Sequence, residues 1–145
     1  RFHTRIPTVQ PERIDIGFLN LIKQYSMFQW VIVTHINHAN EFNQLNKQAI
    51  KKLRALKITL LNQSVLLKGI NDSCDTLKEL SLNFFNVGIL PYYLHQLDTV
   101  KGAMHFAVDI DQGKRIIESL QAVLPGYLVP KYVQEQPGMP NKTTL

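Results

Sequence analysis

A chain of 145 residues can form one domain with a substantial hydrophobic core, and its 45% hydrophobic and 19% charged residues are ordinary for a soluble globular protein. The single cysteine, Cys74, excludes an internal disulfide framework and favours a reducing compartment, so we expect a cytoplasmic protein. The longest apolar stretches, such as residues 30–33, are far shorter than a membrane span. The first residues contain no signal-peptide core, and we expect them to be the cut edge of a longer chain.

Basic residues outnumber acidic residues by 16 to 11, which gives a formal net charge of +5. The densest basic group is Lys47, Lys51, Lys52, Arg54 and Lys57. Most of this group falls on the polar face of one predicted helix, and no aromatic-rich nucleic-acid motif lies among its members. We therefore interpret it as a solvated surface and predict no nucleic-acid partner.

Strand patterns and helix patterns alternate along the chain. In chain order they are a strand end at 1–6, a helix at 14–25, a strand at 30–34, a helix at 42–56, a strand at 58–61, a helix between Ser73 and Gly88, a strand at 89–94, a helix between Asp109 and Pro125, and a strand at 128–133. The four complete strands start about 30 residues apart, which is the size of a strand–helix–strand unit. The alternation predicts a parallel sheet, because a parallel pair needs a crossover of this length.

Two architectures are built from such units, the parallel α/β barrel and the open doubly wound sheet. No glycine-rich nucleotide fingerprint follows any predicted strand, which weighs against the doubly wound sheet. A complete eight-unit barrel typically has about 250 residues. We therefore predict that residues 1–145 are roughly half of one α/β barrel domain, with strand–helix units over 1–135 and a loop over 136–145.

Polar side chains gather where each predicted strand ends. They are His35, Asn37, His38, Asn40 and Glu41 after the first complete strand, Asn62, Gln63 and Ser64 after the second, His95, Gln96 and Asp98 after the third, and Gln134 and Glu135 after the fourth. Functional residues of parallel α/β folds lie at the carboxyl ends of the strands. The recurrence of this pattern predicts a polar site at one mouth of the barrel.

These polar residues also have purely structural interpretations. His35 and His38 could ligate a metal, but two ligands on a loop do not make a metal site. Asn62 and Gln63 could satisfy loop backbone groups. Lys142 could be a solvated lysine of the proline- and glycine-containing tail. Residue patterns alone leave these alternatives open.

Four segments carry a family resemblance. They are THINHANE at 34–41, LNQSVLLKGIND at 61–72, LPYYLHQLD at 90–98 and GAMHF at 102–106. Together they resemble the lysine 2,3-aminomutase family, whose members are radical S-adenosylmethionine enzymes that also use pyridoxal phosphate. GYLVPK at 126–131 and PNKT at 140–143 are similar to the branch that supplies β-lysine for modification of elongation factor P. The resemblance implies the C-terminal part of a radical S-adenosylmethionine barrel of the TIM type.

The resemblance implies roles for five residues. Lys142 would form the Schiff base with pyridoxal phosphate, and the loop over 136–145 would carry it. Asp98 and Glu135 would pair with the side-chain ammonium of a lysine substrate. His35 and Gln63 would line the S-adenosylmethionine side of the barrel mouth.

Two features depart from the family pattern. The glycine run that usually precedes the cofactor lysine is reduced to Gly138, which favours the elongation factor P branch over the catabolic enzymes. The CxxxCxxC motif that holds the 4Fe–4S cluster is absent, and Cys74 alone cannot replace three thiolates. We therefore predict no metal ligand in this chain and expect the cluster cysteines, with most phosphate-binding arginines, upstream of Arg1.

The resulting hypothesis is an amino-group-shifting isomerase that converts L-α-lysine to β-lysine, with this fragment inactive on its own. Its partners would be free L-lysine, the N-terminal half of the same chain and a reductant protein. We expect no membrane partner, and the sequence leaves open whether the protein forms a homo-oligomer. Two alternatives remain. One is a catabolic lysine or glutamate aminomutase, and the other is a non-catalytic barrel remnant or basic binding module.

Overall fold

Six strands form one sheet in the computed structural model, which describes residues 1–145. They are β1 (Phe2–His3), β2 (Val31–His35), β3 (Thr59–Val65), β4 (Leu90–His95), β5 (Lys131–Gln134) and β6 (Thr143–Thr144). Their order across the sheet is their order in the chain; β1 to β5 are parallel, and β6 is antiparallel to β5. A barrel wall adds each strand beside the last, whereas a doubly wound sheet reverses its strand order. The prediction of a barrel portion is therefore confirmed.

Helices fill every connection between the parallel strands. They are α1 (Ile6–Val9), α2 (Ile16–Gln24), α3 (Gln44–Ala55), α4 (Cys74–Val87) and α5 (Ile110–Val123). Short 3-10 turns lie at Pro11–Arg13, Ala39–Glu41, Met104–Phe106 and Gly126–Leu128. These crossovers return the chain to the starting edge of the sheet before each new strand begins, as parallel pairing requires.

Capping residues set the boundaries of the helices. Asp15, Ser73 and Asp109 each accept a hydrogen bond from a backbone N–H in the first turn of α2, α4 and α5 respectively. These bonds satisfy N–H groups that have no partner within the helix. Helix α4 ends at Gly88, whose φ of 79° is left-handed and is adopted by glycine without a steric penalty. The helix boundaries predicted at Ser73, Asp109 and Gly88 are confirmed.

Strand β3 is longer than the polar pattern predicted. It continues to Val65, so Asn62, Gln63 and Ser64 lie inside the strand rather than after it. Asn62 and Ser64 are buried and hydrogen-bonded to the end of β2. Polar residues can occupy a strand at this depth because neighbouring protein atoms satisfy their hydrogen-bonding groups.

The last part of the chain also differs from the prediction. Strand β5 begins only at Lys131, because Gly126–Leu128 forms a 3-10 turn. The segment 136–145, expected to be a loop throughout, ends in β6. The N–H of Leu145 donates to the carbonyl of Tyr132 at 3.0 Å, which fixes the end of the segment to the edge of the sheet.

The two faces of the sheet differ in chemistry. On the helix face, alternate strand residues such as Ile32, Leu60 and Leu94 pack with the helices in a core of 21 buried residues. Side chains of the alternate positions project from the opposite face, which a closed barrel would turn toward its axis. We call this the inner face.

The helices bear on two sequence-based expectations, the absence of a membrane span and the solvated basic surface. None of them is long and apolar enough to cross a membrane. The predicted basic group lies along α3 and the turn after it, and all of its members are exposed, as expected for a solvated surface.

Gly113 makes room in α5 for a buried aromatic ring. A Cβ atom at this position would stand 2.2 Å from the hydroxyl oxygen of Tyr132 and 2.4 Å from its ring carbon. Tyr132 is 3% exposed, belongs to the core and has its hydroxyl hydrogen-bonded to Gln96, so the ring cannot move away without losing these contacts.

Gly113→Ala should destabilise the fold, although alanine is the better helix former. The gain in helix propensity is about 1 kcal/mol, whereas overpacking of a core typically costs about 1–3 kcal/mol. Urea unfolding of the protein that carries this chain measures the difference. Gly126→Ala is the matched control, because Gly126 has open space around its Cβ position. Equal or greater stability of Gly113→Ala than of Gly126→Ala would contradict the packing explanation.

Candidate functional site

Polar residues of three neighbouring strands form rows on the inner face. His35 of β2 pairs in register with Gln63 of β3, and Gln63 pairs with Tyr93 of β4. His95, two residues after Tyr93, pairs with Val133 of β5. Residues paired in this way project from the same face, so the side chains form a continuous polar and aromatic surface near the carboxyl ends of the strands.

Buried hydrogen bonds on the helix face hold the end of β2 in place. Asn62 Oδ1 accepts from the Thr34 hydroxyl and the Ile36 N–H, both at 2.9 Å, and Asn62 Nδ2 donates to the Ile36 carbonyl at 3.0 Å. The Ser64 hydroxyl donates to the same carbonyl at 2.7 Å. Thr34 and Ile36 are the chain neighbours of His35. The network therefore fixes the backbone from which the His35 imidazole projects.

A second buried asparagine shapes the loop after β3. Asn71 Oδ1 accepts from the Leu67 N–H at 2.7 Å, and Asn71 Nδ2 donates to the carbonyls of Asn37 and Val65 at 2.9 Å. Asn37 Oδ1 accepts in turn from the Val65 N–H at 2.9 Å. These bonds tie the segment after β2 to the segment after β3, so both asparagines serve the scaffold.

His38 and Glu41 also have structural roles. His38 Nδ1 accepts from the Asn40 N–H at 3.0 Å, and Glu41 Oε1 accepts from the His38 N–H at 3.0 Å. Glu41 also forms an ion pair with Arg5 at 3.2 Å. The chain contains no group of three or more histidine, cysteine, aspartate or glutamate side chains that could hold a metal ion. The structure thus gives His38 to a turn and does not join it with His35 in a ligand set.

A cavity of about 240 Å³ opens at the carboxyl ends of β3 and β4. His35, Gln63, His95 and Asp98 are among its lining residues. The Nε2 atoms of His35 and His95 are buried and have no hydrogen-bond partner. A buried polar atom left without a partner costs about 1–3 kcal/mol. Such atoms therefore indicate where a ligand or a bound water supplies the missing partner.

Both imidazoles favour the neutral form. Burial lowers the pKa of His35, and the positive charge of Arg5 lowers it further. Burial also lowers the pKa of His95, with the charge of Lys142 as the second cause. A neutral imidazole has one nitrogen that donates and one that accepts. Each ring can therefore offer its free Nε2 to a ligand as either group.

Lys142 lies beside this surface and is paired with Glu135. Its Nζ donates to Glu135 Oε1 and lies 5.8 Å from the centre of the Tyr93 ring. The hydrogen bond from Lys142 holds the pKa of Glu135 below its ordinary value. The glutamate side chain is 60% exposed, so the pair contributes little to stability. Its effect is to direct the lysine ammonium across the inner face.

Two further cavities adjoin the first. One, of about 500 Å³, is lined by Asp98 and Glu135 and by no hydrophobic side chain. The other, of about 270 Å³, is lined by Glu135 and Lys142 among others. Asp98 borders the first and second cavities, and Glu135 borders the second and third. The structure thus brings all five candidate residues to one edge of the sheet, while the roles assigned to them stay predictions.

His95 is the residue whose significance the sequence interpretation missed. The sequence places it among the polar residues after the third complete strand without indicating a role, whereas its free Nε2 lies in the cavity wall with His35 and Asp98. A signal was present, because Tyr93 and His95 alternate on β4 and therefore share a face. Its burial without a partner depends on the packing of neighbouring strands and has no sequence pattern.

Titration of the two imidazoles should separate their electrostatic environments. We expect NMR titration midpoints for His35 and His95 below the ordinary value of about 6.5. Arg5→Ala removes a charge that lowers the pKa of His35, so it should raise the His35 midpoint more than that of His95. Lys142→Ala should raise the His95 midpoint more than that of His35. Each variant is the control for the other, and a larger shift at the other histidine in either variant would contradict this arrangement of charges.

Curated relatives match the chain from end to end. An L-lysine 2,3-aminomutase of Haemophilus influenzae is 52% identical over 143 residues, which are 99% of this chain and 42% of the relative. That of Escherichia coli is 47% identical over 145 residues, again 42% of the relative. That of Clostridium subterminale is 38% identical over 145 residues and 34% of its length. The chain therefore spans less than half the length of these relatives.

Two solved structures share the fold. A radical SAM methyltransferase from Sphaerobacter thermophilus aligns with 81% of this chain and 38% of its own, with a TM-score of 0.54 and 16% identity. A domain of a pyruvate-formate lyase-activating enzyme from Bacteroides vulgatus aligns with 90% of this chain and 94% of its own, with a TM-score of 0.51 and 12% identity. At these identities the likeness concerns the fold alone, which is a parallel sheet whose strands alternate with helices.

No protein-family model matches the chain. The relatives nevertheless cover its entire length at 38–52% identity, and the parallel sheet agrees with the fold that the resemblance implied. The chain is therefore similar to L-lysine 2,3-aminomutases over the part of those proteins that it matches.

Proposed function

We propose that this chain is part of an L-lysine 2,3-aminomutase, which moves the α-amino group of L-lysine to the β carbon by radical chemistry. One observation carries the proposal. Asp98, Glu135 and Lys142 lie together at the carboxyl edge of a sheet whose sequence matches lysine 2,3-aminomutases throughout. Catalytic residues of parallel α/β barrels lie at this edge.

Asp98 and Glu135 would bind the side-chain ammonium of the substrate. They line the same cavity, which has no hydrophobic side chain in its lining. The ion pair of Glu135 with Lys142 supports this role, because the Lys142 side chain ends in the same primary ammonium that L-lysine presents. Two carboxylates around one ammonium discriminate against analogues without that charge, since binding such an analogue leaves both acids unpaired.

Lys142 would hold pyridoxal phosphate. Its side chain is 26% exposed, and its segment is tied to the sheet by β6, so the amine has a defined place. The residues around it fit a polar ring, because the inner face offers the Tyr93 ring and the unpartnered Nε2 of His95. Pyridoxal phosphate, when bound, supplies an aldehyde for the substrate amine and a ring that accepts electron density. Glu135 orients the free Lys142 amine.

His35 and Gln63 would contact S-adenosylmethionine. They are paired across β2 and β3, they line the same cavity, and the Nε2 of His35 has no protein partner. S-adenosylmethionine, when bound, supplies the radical that hydrogen abstraction from the substrate needs. The lowered pKa of His35 keeps its ring neutral, so it adds no positive charge beside a sulfonium cation.

A 4Fe–4S cluster does not fit the residues of this chain. Such a cluster is held by cysteine thiolates, and the chain has only Cys74, at the first residue of α4. We therefore assign the cluster to residues of the protein outside this chain, and we assign no step at the cluster to the residues described. By the same proposal the chain alone does not turn over substrate.

The finer proposal is that the product, β-lysine, serves the modification of elongation factor P. Its support is the likeness of residues 126–131 and 140–143 to that branch of the family, and the reduction of the glycine run to Gly138. A catabolic lysine aminomutase is the alternative within the family. The proposal includes free L-lysine as substrate, a reductant protein as partner and a cytoplasmic location.

Borohydride reduction tests the role of Lys142. The full-length protein is loaded with pyridoxal phosphate, reduced with tritiated borohydride and digested. We expect the label on the peptide that contains Lys142, and we expect Lys142→Ala to lose it. Lys131→Ala is the matched control, because Lys131 is an exposed lysine of β5 that pairs in register with Tyr93. Label on another lysine, with none on Lys142, would reject the assignment.

A further inference from the structure

One backbone hydrogen bond joins the two segments that carry Asp98 and Glu135. The N–H of Gln96 donates to the carbonyl of Val133 at 2.8 Å. Asp98 lies two residues after Gln96, and Glu135 lies two residues after Val133. The separation of the two carboxylates therefore depends on how firmly this junction between β4 and β5 is held.

The side chain of Gln96 fastens the junction. Its Oε1 accepts from the hydroxyl of Tyr132, and its Nε2 donates to the carbonyl of Val108 at 2.8 Å. Gln96 is 9% exposed and Tyr132 is 3% exposed. Burial raises the pKa of Tyr132 to about 12, so the hydroxyl keeps its proton. A carbonyl can only accept a hydrogen bond, so Val108 fixes the orientation of the Gln96 amide and leaves Oε1 to accept from the Tyr132 hydroxyl.

Helix α5 is adapted to this contact. Gly113 leaves the space that the Tyr132 hydroxyl occupies, since a Cβ atom there would be 2.2 Å from the oxygen. Glycine is unfavourable in the interior of a helix. Its presence in α5 is therefore explained by the tyrosine and not by the helix.

We infer that Tyr132 and Gln96 are positioning residues that set the separation of Asp98 and Glu135, and thereby the length of the substrate side chain that the site accepts. The inference rests on the proposed function, in which both carboxylates meet one terminal ammonium. A small displacement within a site of this kind has a large effect on turnover, because about 1 Å can change a rate about 100-fold. Loosening this junction should therefore change the selectivity for side-chain length more than it changes the stability of the fold.

Tyr132→Phe tests the inference in the full-length holoenzyme. It keeps the ring and removes the hydroxyl that holds Gln96. The quantity measured is the ratio of kcat/KM for L-lysine to that for L-ornithine, which is one methylene shorter. We expect this ratio to fall by at least about fivefold, with the rate of S-adenosylmethionine cleavage unchanged. Tyr127→Phe, at a tyrosine that is 59% exposed, is the control and should leave the ratio unchanged.

Ile116→Val separates positioning from stability. Ile116 is a buried core residue of α5 that takes no part in the hydrogen bonds of Gln96, and loss of one methylene group from a core lowers stability. We expect Ile116→Val to lower the melting temperature and to leave the selectivity ratio unchanged. Gln96→Leu removes the other partner of the Tyr132 hydrogen bond, should also lower the ratio, and carries the test if Tyr132→Phe does not fold. An unchanged ratio in the junction variants, an equal loss for both substrates, or an equal fall of the ratio in Ile116→Val would overturn the inference. Absence of lysine turnover in the unaltered holoenzyme would instead reject the proposed function, and the inference with it.

Discussion

The parallel pairing of five successive strands is the constraint on which the rest of the structure depends. Parallel strands cannot be joined by a hairpin, so the chain crosses back through helical segments after each one. Every strand therefore ends at the same edge of the sheet. His35 and His95 are the last residues of β2 and β4, and Glu135 directly follows β5. Residues up to 100 positions apart meet at this edge because of connectivity, before any side chain contributes a contact.

Polar residues at this edge serve two purposes, according to the face on which they lie. On the helix face, Asn62 and Gln96 are buried and bind backbone groups and other side chains. Loss of one such partner leaves a buried group unsatisfied, at a cost of about 1–3 kcal/mol. On the inner face, His35 and His95 keep a buried nitrogen without a partner. The first set holds the scaffold, and the second is available to a ligand.

The predictable features were those that depend on local pattern and connectivity. The strand–helix alternation, the caps at Ser73 and Gly88 and the barrel class follow from periodicity, from backbone chemistry and from the length of each crossover. The end of β3 was not predictable, because a polar run does not reveal that Asn62 finds buried partners on β2. The same holds for β6, which exists only by pairing with β5, and for the contact of Lys142 with Glu135, which depends on the folded path of residues 136–145.

Recognition of a terminal ammonium by carboxylates at this edge is the central claim, and ligand binding to the full-length protein loaded with pyridoxal phosphate tests it most directly. L-Norleucine has the same four-carbon side chain as L-lysine but lacks the terminal side-chain ammonium, so spectroscopic titration with both compounds isolates that group. We expect L-lysine to bind about 100-fold more tightly than L-norleucine, and Asp98→Asn to remove most of the difference. Binding of L-norleucine within about threefold of L-lysine in the unaltered protein would contradict the claim.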